Sequence, residues 1–174
     1  MLVRKAVAAD TAAVTALFDA IHTEEEEAGR TTTGWLRGVY PTEKVVETGL
    51  ARDDLYVMED ENAVVAVCRI NAEQVDCYFG VPWAYEAPPE QVSVLHTLVV
   101  DPARKGKGYG TAFIAYYEQL ARERGCTVLR IDTNARNERA RRLYAYLGYR
   151  EAAIVPTVFN GIPDVNLVLL EKKL

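Results

Sequence analysis

Two histidines and three cysteines are all the imidazole and thiol groups the chain has to offer a metal. Cys68, Cys77 and Cys126 are odd in number and none stands in a Cys-x-x-Cys spacing, so neither a disulfide framework nor a thiolate zinc centre is expected. No ligand spacing supports a metal site built from His22, His96 and stray carboxylates. No apolar run approaches the roughly 18 residues of a membrane span, and nothing of signal-peptide character follows Met1-Leu2-Val3-Arg4-Lys5. An intracellular, cytoplasmic protein without a membrane partner is expected. An excess of positive charge is also missing. With 20 Lys and Arg against 25 Asp and Glu the net charge is −5, and non-specific nucleic-acid binding needs a basic face to displace counterions. Internal repeats and low-complexity stretches are absent too. The 174 residues fit one domain, 1–174, long enough to bury roughly two thirds of its unfolded surface.

The apolar pattern supplies the elements. Leu2 to Val7 reads as a short strand, and Asp10 as the cap of a helix whose Val14, Leu17, Phe18 and Ile21 fall on one face. The run Glu24-Glu25-Glu26-Glu27 reads as a solvated face or as an acidic rim for a cationic substrate. Pro41 is expected to open a short helix to about Gly49. Leu55–Met58 and Ala63–Ile70 flank Glu59-Asp60-Glu61-Asn62 as an antiparallel hairpin. The stretch from Glu73 to Glu90 is a long loop with Tyr78, Phe79, Trp83, Tyr85 and three prolines, either a satellite core or an acceptor pocket. A second buried strand spans Cys126–Asp132, and Ala140, Leu143, Tyr144 and Leu147 mark the face of a later helix ended by Gly148. Ala152–Phe159 and Val165–Leu170 form a closing hairpin through Asn160-Gly161.

The most informative stretch is Val94–Thr111. An apolar run stops at Asp101-Pro102 and gives way to Arg104-Lys105-Gly106-Lys107-Gly108-Tyr109-Gly110-Thr111, after which helical periodicity begins with Phe113, Ile114 and Tyr117. Glycines at alternate positions let backbone N–H groups converge on an anion, and the helix adds its free N–H groups and dipole. A diphosphate fits best. A helix between the strand ending at Val100 and the strand at Cys126–Asp132 makes those strands parallel neighbours. A P-loop is excluded, since no Lys-Ser or Lys-Thr pair occurs. A dinucleotide fingerprint lacks its third glycine at Thr111, although Asp132 stands where a ribose carboxylate would.

Leu98-Val99-Val100-Asp101-Pro102 with Lys105-Gly106-Lys107-Gly108-Tyr109-Gly110, followed by Asn137-x-x-Ala140-x-x-Leu143-Tyr144-x-x-Leu147-Gly148-Tyr149, resembles the acetyl-CoA-binding core of the GCN5-related N-acetyltransferases. One departure is that Lys105 stands where Arg or Gln is usual, keeping the charge and losing the guanidinium fork. The resemblance implies an α/β (α+β) fold: a mixed, mostly antiparallel sheet of six to seven strands with a central splayed parallel pair, flanked by about four helices. It implies acetyl-CoA as acyl donor and a small-molecule or peptide amine as acceptor. The pantetheine arm would lie along the backbone of Leu98, Val99 and Val100, and the pyrophosphate on N–H groups from Lys105 through Gly106, Lys107, Gly108, Tyr109 and Gly110 to Thr111, with Asn137 and Ala140 on the cofactor side. Tyr144 is similar in place to the family's general acid, the bland reading being a core tyrosine. His96 is similar in position to a histidine that carries off the amine's proton. Alternation puts it on one strand face with Leu98 and Val100, and Glu73 or Glu90 could instead order a relay water. A non-catalytic acyl-CoA-binding module and a dinucleotide-dependent oxidoreductase stand as alternatives. Acceptor choice is implied to rest on Glu24–Tyr40, Tyr78–Tyr85 and Val158–Pro163, whose aromatics and acids favour a cationic or aromatic amine. The hairpin edges are compatible with a homodimer.

Overall fold

The computed structural model describes all 174 residues. In chain order the elements are β1 (Leu2–Lys5), α1 (Thr11–Glu27), α2 (Glu43–Ala51), β2 (Leu55–Asp60), β3 (Ala63–Asn71), β4 (Val92–Val100), α3 (Tyr109–Glu123), β5 (Val128–Asn134), α4 (Glu138–Tyr146), β6 (Arg150–Phe159) and β7 (Ile162–Lys173). The strands follow the order β1-β2-β3-β4-β5-β7-β6 in one mixed seven-stranded sheet. β4 and β5 are parallel, while β1–β2, β2–β3, β5–β7 and β6–β7 are antiparallel. The expected mixed sheet with a central parallel pair and four helices is what the chain adopts. Its residues group into two compact units, Met1–Thr31 with Trp35–Ile70 and His96–Tyr116, and Thr32–Gly34 with Asn71–Leu95 and Tyr117–Leu174.

In the first unit, α1 and α2 close over β2 and β3. Val14, Leu17 and Phe18 of α1, Val46 of α2, Leu55 and Val57 of β2, Val67 of β3 and Val99 of β4 form one buried cluster. Each such side chain contributes roughly 1.5–3 kcal/mol on burial, so this cluster fixes where α1 lies. The hairpin turn at Glu61-Asn62 has φ of 52° and 60°, the paired left-handed conformation that matches strand twist. Two boundaries differ from the sequence reading. α2 starts at Glu43 after Thr42, so Pro41 lies outside it. Asp10 does not cap α1 through its side chain. Its carboxylate instead takes two hydrogen bonds from Arg4, at 2.7 and 2.9 Å, and one from the Val7 N–H at 2.8 Å. A guanidinium fork offers a carboxylate more than one helix N–H does.

In the second unit, β5 pairs in parallel with the Val92–Leu95 part of β4 and along its whole length with β7. The β6–β7 hairpin turns at Asn160-Gly161, with φ of 50° and 82°, and is longer than its apolar run implied, because Arg150 and Glu171 pair at its open end and Phe159 and Ile162 at its turn. The parallel register ends at Leu95↔Ile131. α3 ends near Gly125, which takes φ 76°, and Tyr117 turns its hydroxyl inward to the Ser93 carbonyl at 2.6 Å.

Candidate active site

Regular strand geometry fails within β4 at one residue. Thr97 has φ +54°, a conformation that a β-branched side chain adopts only at a cost of about 1–3 kcal/mol. The Tyr40 hydroxyl is hydrogen-bonded to Thr97 Oγ1 and helps to hold it. The period of two that put His96, Leu98 and Val100 on one face is interrupted at Thr97. His96, Thr97 and Leu98 are all half-buried, and Val99 alone returns to the core. Nothing in the sequence marks Thr97, since threonine is an ordinary strand residue.

β4 then enters the glycine loop. The Asp101 N–H donates to the Val65 carbonyl at 2.9 Å, and its Oδ1 accepts from the Ala103 N–H at 2.9 Å, which starts a single tight turn over Pro102–Arg104. Gly106 and Gly108 follow with φ of +83° and +81°. A Cβ built at either meets no atom within 4 Å, so at both glycines the direction a side chain would take is clear of protein. Left-handed residues flank Lys107 on both sides, as backbone that converges amides on an anion requires, and α3 begins directly behind them at Tyr109. The third glycine behaves otherwise, because Gly110 lies inside the first turn of α3. Tyr109 is 2% exposed and donates its hydroxyl to Asp60 at 2.6 Å, so only its backbone could serve a ligand. That bond holds the Asp60 carboxyl below its ordinary range and pushes the Tyr109 phenol up.

The three cations differ. Arg104 is committed to Glu61 at 3.2 Å and to its own loop's Asp101 at 3.4 Å. Lys105 forms an ion pair with Glu24 of α1, and Lys107 is exposed. The acidic run therefore divides its labour, with Glu24 on Lys105, Glu26 on Arg37 at 2.9 Å, and Glu25 buried at 6% exposure.

In the second unit, Asn137 caps α4, its Oδ1 accepting from the Ala140 N–H at 3.1 Å. Tyr144, 4% exposed, is the buried residue of α4 and lies 5.9 Å from the Tyr149 ring, tilted at 60°. Burial pushes the Tyr149 phenol well up. Glu73 and Glu90 are both exposed. Asp132, the residue weighed as a ribose carboxylate, accepts a 2.8 Å hydrogen bond from the buried Tyr78 hydroxyl. No group of three or more His, Cys, Asp or Glu side chains could hold a metal ion, and no helix is long and apolar enough to cross a membrane.

Residues 15–149 match the acetyltransferase (GNAT) family. The chain belongs to that family. The GNAT match takes in both the glycine loop and the Asn137–Tyr149 segment. An uncharacterised N-acetyltransferase of Methanocaldococcus jannaschii is 28% identical over 105 residues, 58% of this chain and 45% of that protein. The chain spans about half the length of the curated relatives it matches. Solved structures cover it more fully. A GNAT-family acetyltransferase from Streptococcus agalactiae superposes with a TM-score of 0.81 at 15% identity, over 99% of this chain and 95% of that one. The Salmonella typhimurium protein yncA, solved with its cofactor acetyl-CoA, gives 0.71 at 21% identity over 99% and 93%. At these identities the likeness is one of GNAT fold.

Proposed function

We propose that this chain is an acetyl-CoA-dependent N-acetyltransferase, a single acyltransferase domain over residues 1–174 acting on a primary amine of a small molecule or peptide by direct attack. The observation that carries this reading is the Lys105–Thr111 loop, whose left-handed Gly106 and Gly108 stand just ahead of α3 within the region that matches the GNAT family. The clear space beyond both glycines fits a diphosphate, which needs backbone amides at close range and no side chain between.

Backbone N–H groups from Lys105 to Thr111 would hold the pyrophosphate, with Lys107 adding charge. The Leu98–Val100 main chain would hold the pantetheine arm, with Asn137 and Ala140 on the cofactor side. Bound acetyl-CoA supplies an activated thioester carbonyl. His96 would accept the proton of the attacking amine, and Tyr144, shielded from bulk water, would give a proton to the departing sulfur. Lys105 must exchange Glu24 for phosphate to take part, so Glu24 competes with the ligand for that cation.

A thiol-release screen with acetyl-CoA across polyamines, amino acids, aminoglycosides and N-terminal peptides tests the reading. Release with at least one amine class is the expected result. Tight acetyl-CoA binding without release would leave the non-catalytic binding module, and binding of a nicotinamide dinucleotide with no response to acetyl-CoA would leave the oxidoreductase.

A further inference from the structure

A threonine in left-handed backbone inside a strand needs a cause. Thr97 lies within β4 at φ +54°. A branched Cβ disfavours that region, and such a residue persists only where its surroundings over-determine it. The break also falls at a junction. The parallel register of β4 with β5 ends at Leu95↔Ile131, just ahead of it, and Leu98–Val100 follows directly behind it. Rotation of Thr97 back to extended backbone would redirect every later residue of β4.

Within the first unit, Tyr40 is carried to Thr97 on an anchored turn. The Val39 and Tyr40 N–H groups both donate to the Leu36 carbonyl at 3.0 Å, and Gly38 between them and Leu36 takes φ +76°. From inside this turn Arg37 reaches α1, pairing with Asp19 at 3.1 Å and Glu26 at 2.9 Å and donating to Thr23 Oγ1 at 2.9 Å. The Tyr40 ring stands edge-on to Trp35, with centroids 5.8 Å apart at 74°. α1 itself packs in the same buried cluster as Val99 of β4. The half-buried Tyr40 therefore hangs from a frame that is fixed to the strand beyond the break, and its hydroxyl is bonded to Thr97 Oγ1.

We propose that Tyr40 is a positioning residue, which acts through Thr97 to hold β4 in the bent form that presents the Leu98–Val100 main chain to acetyl-CoA. This rests on the N-acetyltransferase reading above. The hydroxyl does no chemistry. It biases β4 toward the bent, binding-competent form and away from a regular one in which Thr97 is relaxed. Loss of one hydrogen bond of ordinary net strength moves such a balance about 2- to 10-fold, and apparent affinity falls with the competent fraction. Saturating acetyl-CoA draws the population back, so the loss appears in KM and spares kcat.

Acetyl-CoA calorimetry, steady-state kinetics and urea unfolding are compared for wild type, Tyr40→Phe, Thr97→Val and Thr97→Gly. Tyr40→Phe keeps the ring against Trp35, and Thr97→Val keeps the branched Cβ while removing Oγ1. Both should raise Kd and KM for acetyl-CoA about 3- to 10-fold, with kcat within about 2-fold of wild type. Thr97→Gly also lacks Oγ1, but glycine takes positive φ without a partner, so it should bind within about 2-fold of wild type. Adding Tyr40→Phe to Thr97→Gly should change nothing further. A Thr97→Val protein that binds as well as Thr97→Gly, or better, would overturn the proposal. So would a Tyr40→Phe protein altered in unfolding alone, or one with lower kcat at constant KM. Failure of the N-acetyltransferase reading would show separately, as a wild-type protein without acetyl-CoA binding or thiol release.

Discussion

Tyr144 and His96 sit in different degrees of contact with solvent, and that decides how each should respond to substitution. Tyr144 is 4% exposed beside Tyr149, so Tyr144→Phe removes one oxygen and leaves the ring packing intact. If the phenol protonates the thiolate, kcat should fall about 10²–10⁴-fold with acetyl-CoA affinity held within about 2-fold, measured by steady-state kinetics and calorimetry. An unchanged kcat would make Tyr144 a core residue only. His96 is half-buried next to the left-handed Thr97. His96→Ala should flatten the acidic limb of the kcat/KM–pH profile, and a limb that does not move would return the base to an ordered water.

At the scale of elements, the loop between β4 and α3 combines a conformation that needs glycine with a surface that needs open space. Gly108→Val fails on both counts, since φ +81° is strained for any branched side chain and the added atoms would fill the space that is clear of protein beside the loop. Acetyl-CoA binding should be lost, at least 100-fold by calorimetry, while urea unfolding shows the fold retained; binding within 3-fold of wild type would place the diphosphate elsewhere. Glu24 tests the same loop from the opposite direction. The Glu24–Lys105 pair is partly exposed on both sides, and such pairs contribute about 0–1 kcal/mol to stability. Glu24→Gln should therefore leave unfolding nearly unchanged and tighten acetyl-CoA binding a few-fold, with weaker salt dependence. Looser binding would mean that Glu24 positions Lys105 rather than competing for it.

For the molecule as a whole, stability should respond to acid and to ligand. Arg4, with the Val7 N–H, holds the Asp10 carboxyl below its ordinary value. A carboxylate whose pKa is lower in the folded state stabilises the protein above its unfolded pKa, near 3.9, and that contribution is lost as pH falls through the lowered folded value. Asp10→Asn should then cost roughly 1–3 kcal/mol at pH 7, and the gap to wild type should close as pH falls through the lowered folded value; a gap independent of pH would point to packing instead. Acetyl-CoA at 100 times its Kd should add about 2.7 kcal/mol to unfolding if it binds the native chain alone. No rise in Tm at that concentration would contradict the proposed donor.

Local chemistry could be read directly from the chain. Apolar spacing located α1, α3 and the β6–β7 hairpin, because a helix or strand buries one face and writes its period into the sequence. Glycine spacing after Asp101-Pro102 pointed to a diphosphate loop, since special backbone angles demand special residues. What the folded structure alone decided depends on partners distant in sequence. Thr97 takes its left-handed turn in contact with Tyr40, Tyr109 turns inward to Asp60, and Asp10 leaves its helix for Arg4. The polar face of β5 was hidden for the same reason. Arg130, Asp132 and Asn134 look like ordinary alternating polar residues, and segments distant in sequence cover them, Tyr78 and Trp83 over Asp132 and Arg130 and Gly34 over Asn134. Burial of a polar group is a property of what covers it, and no local pattern records that.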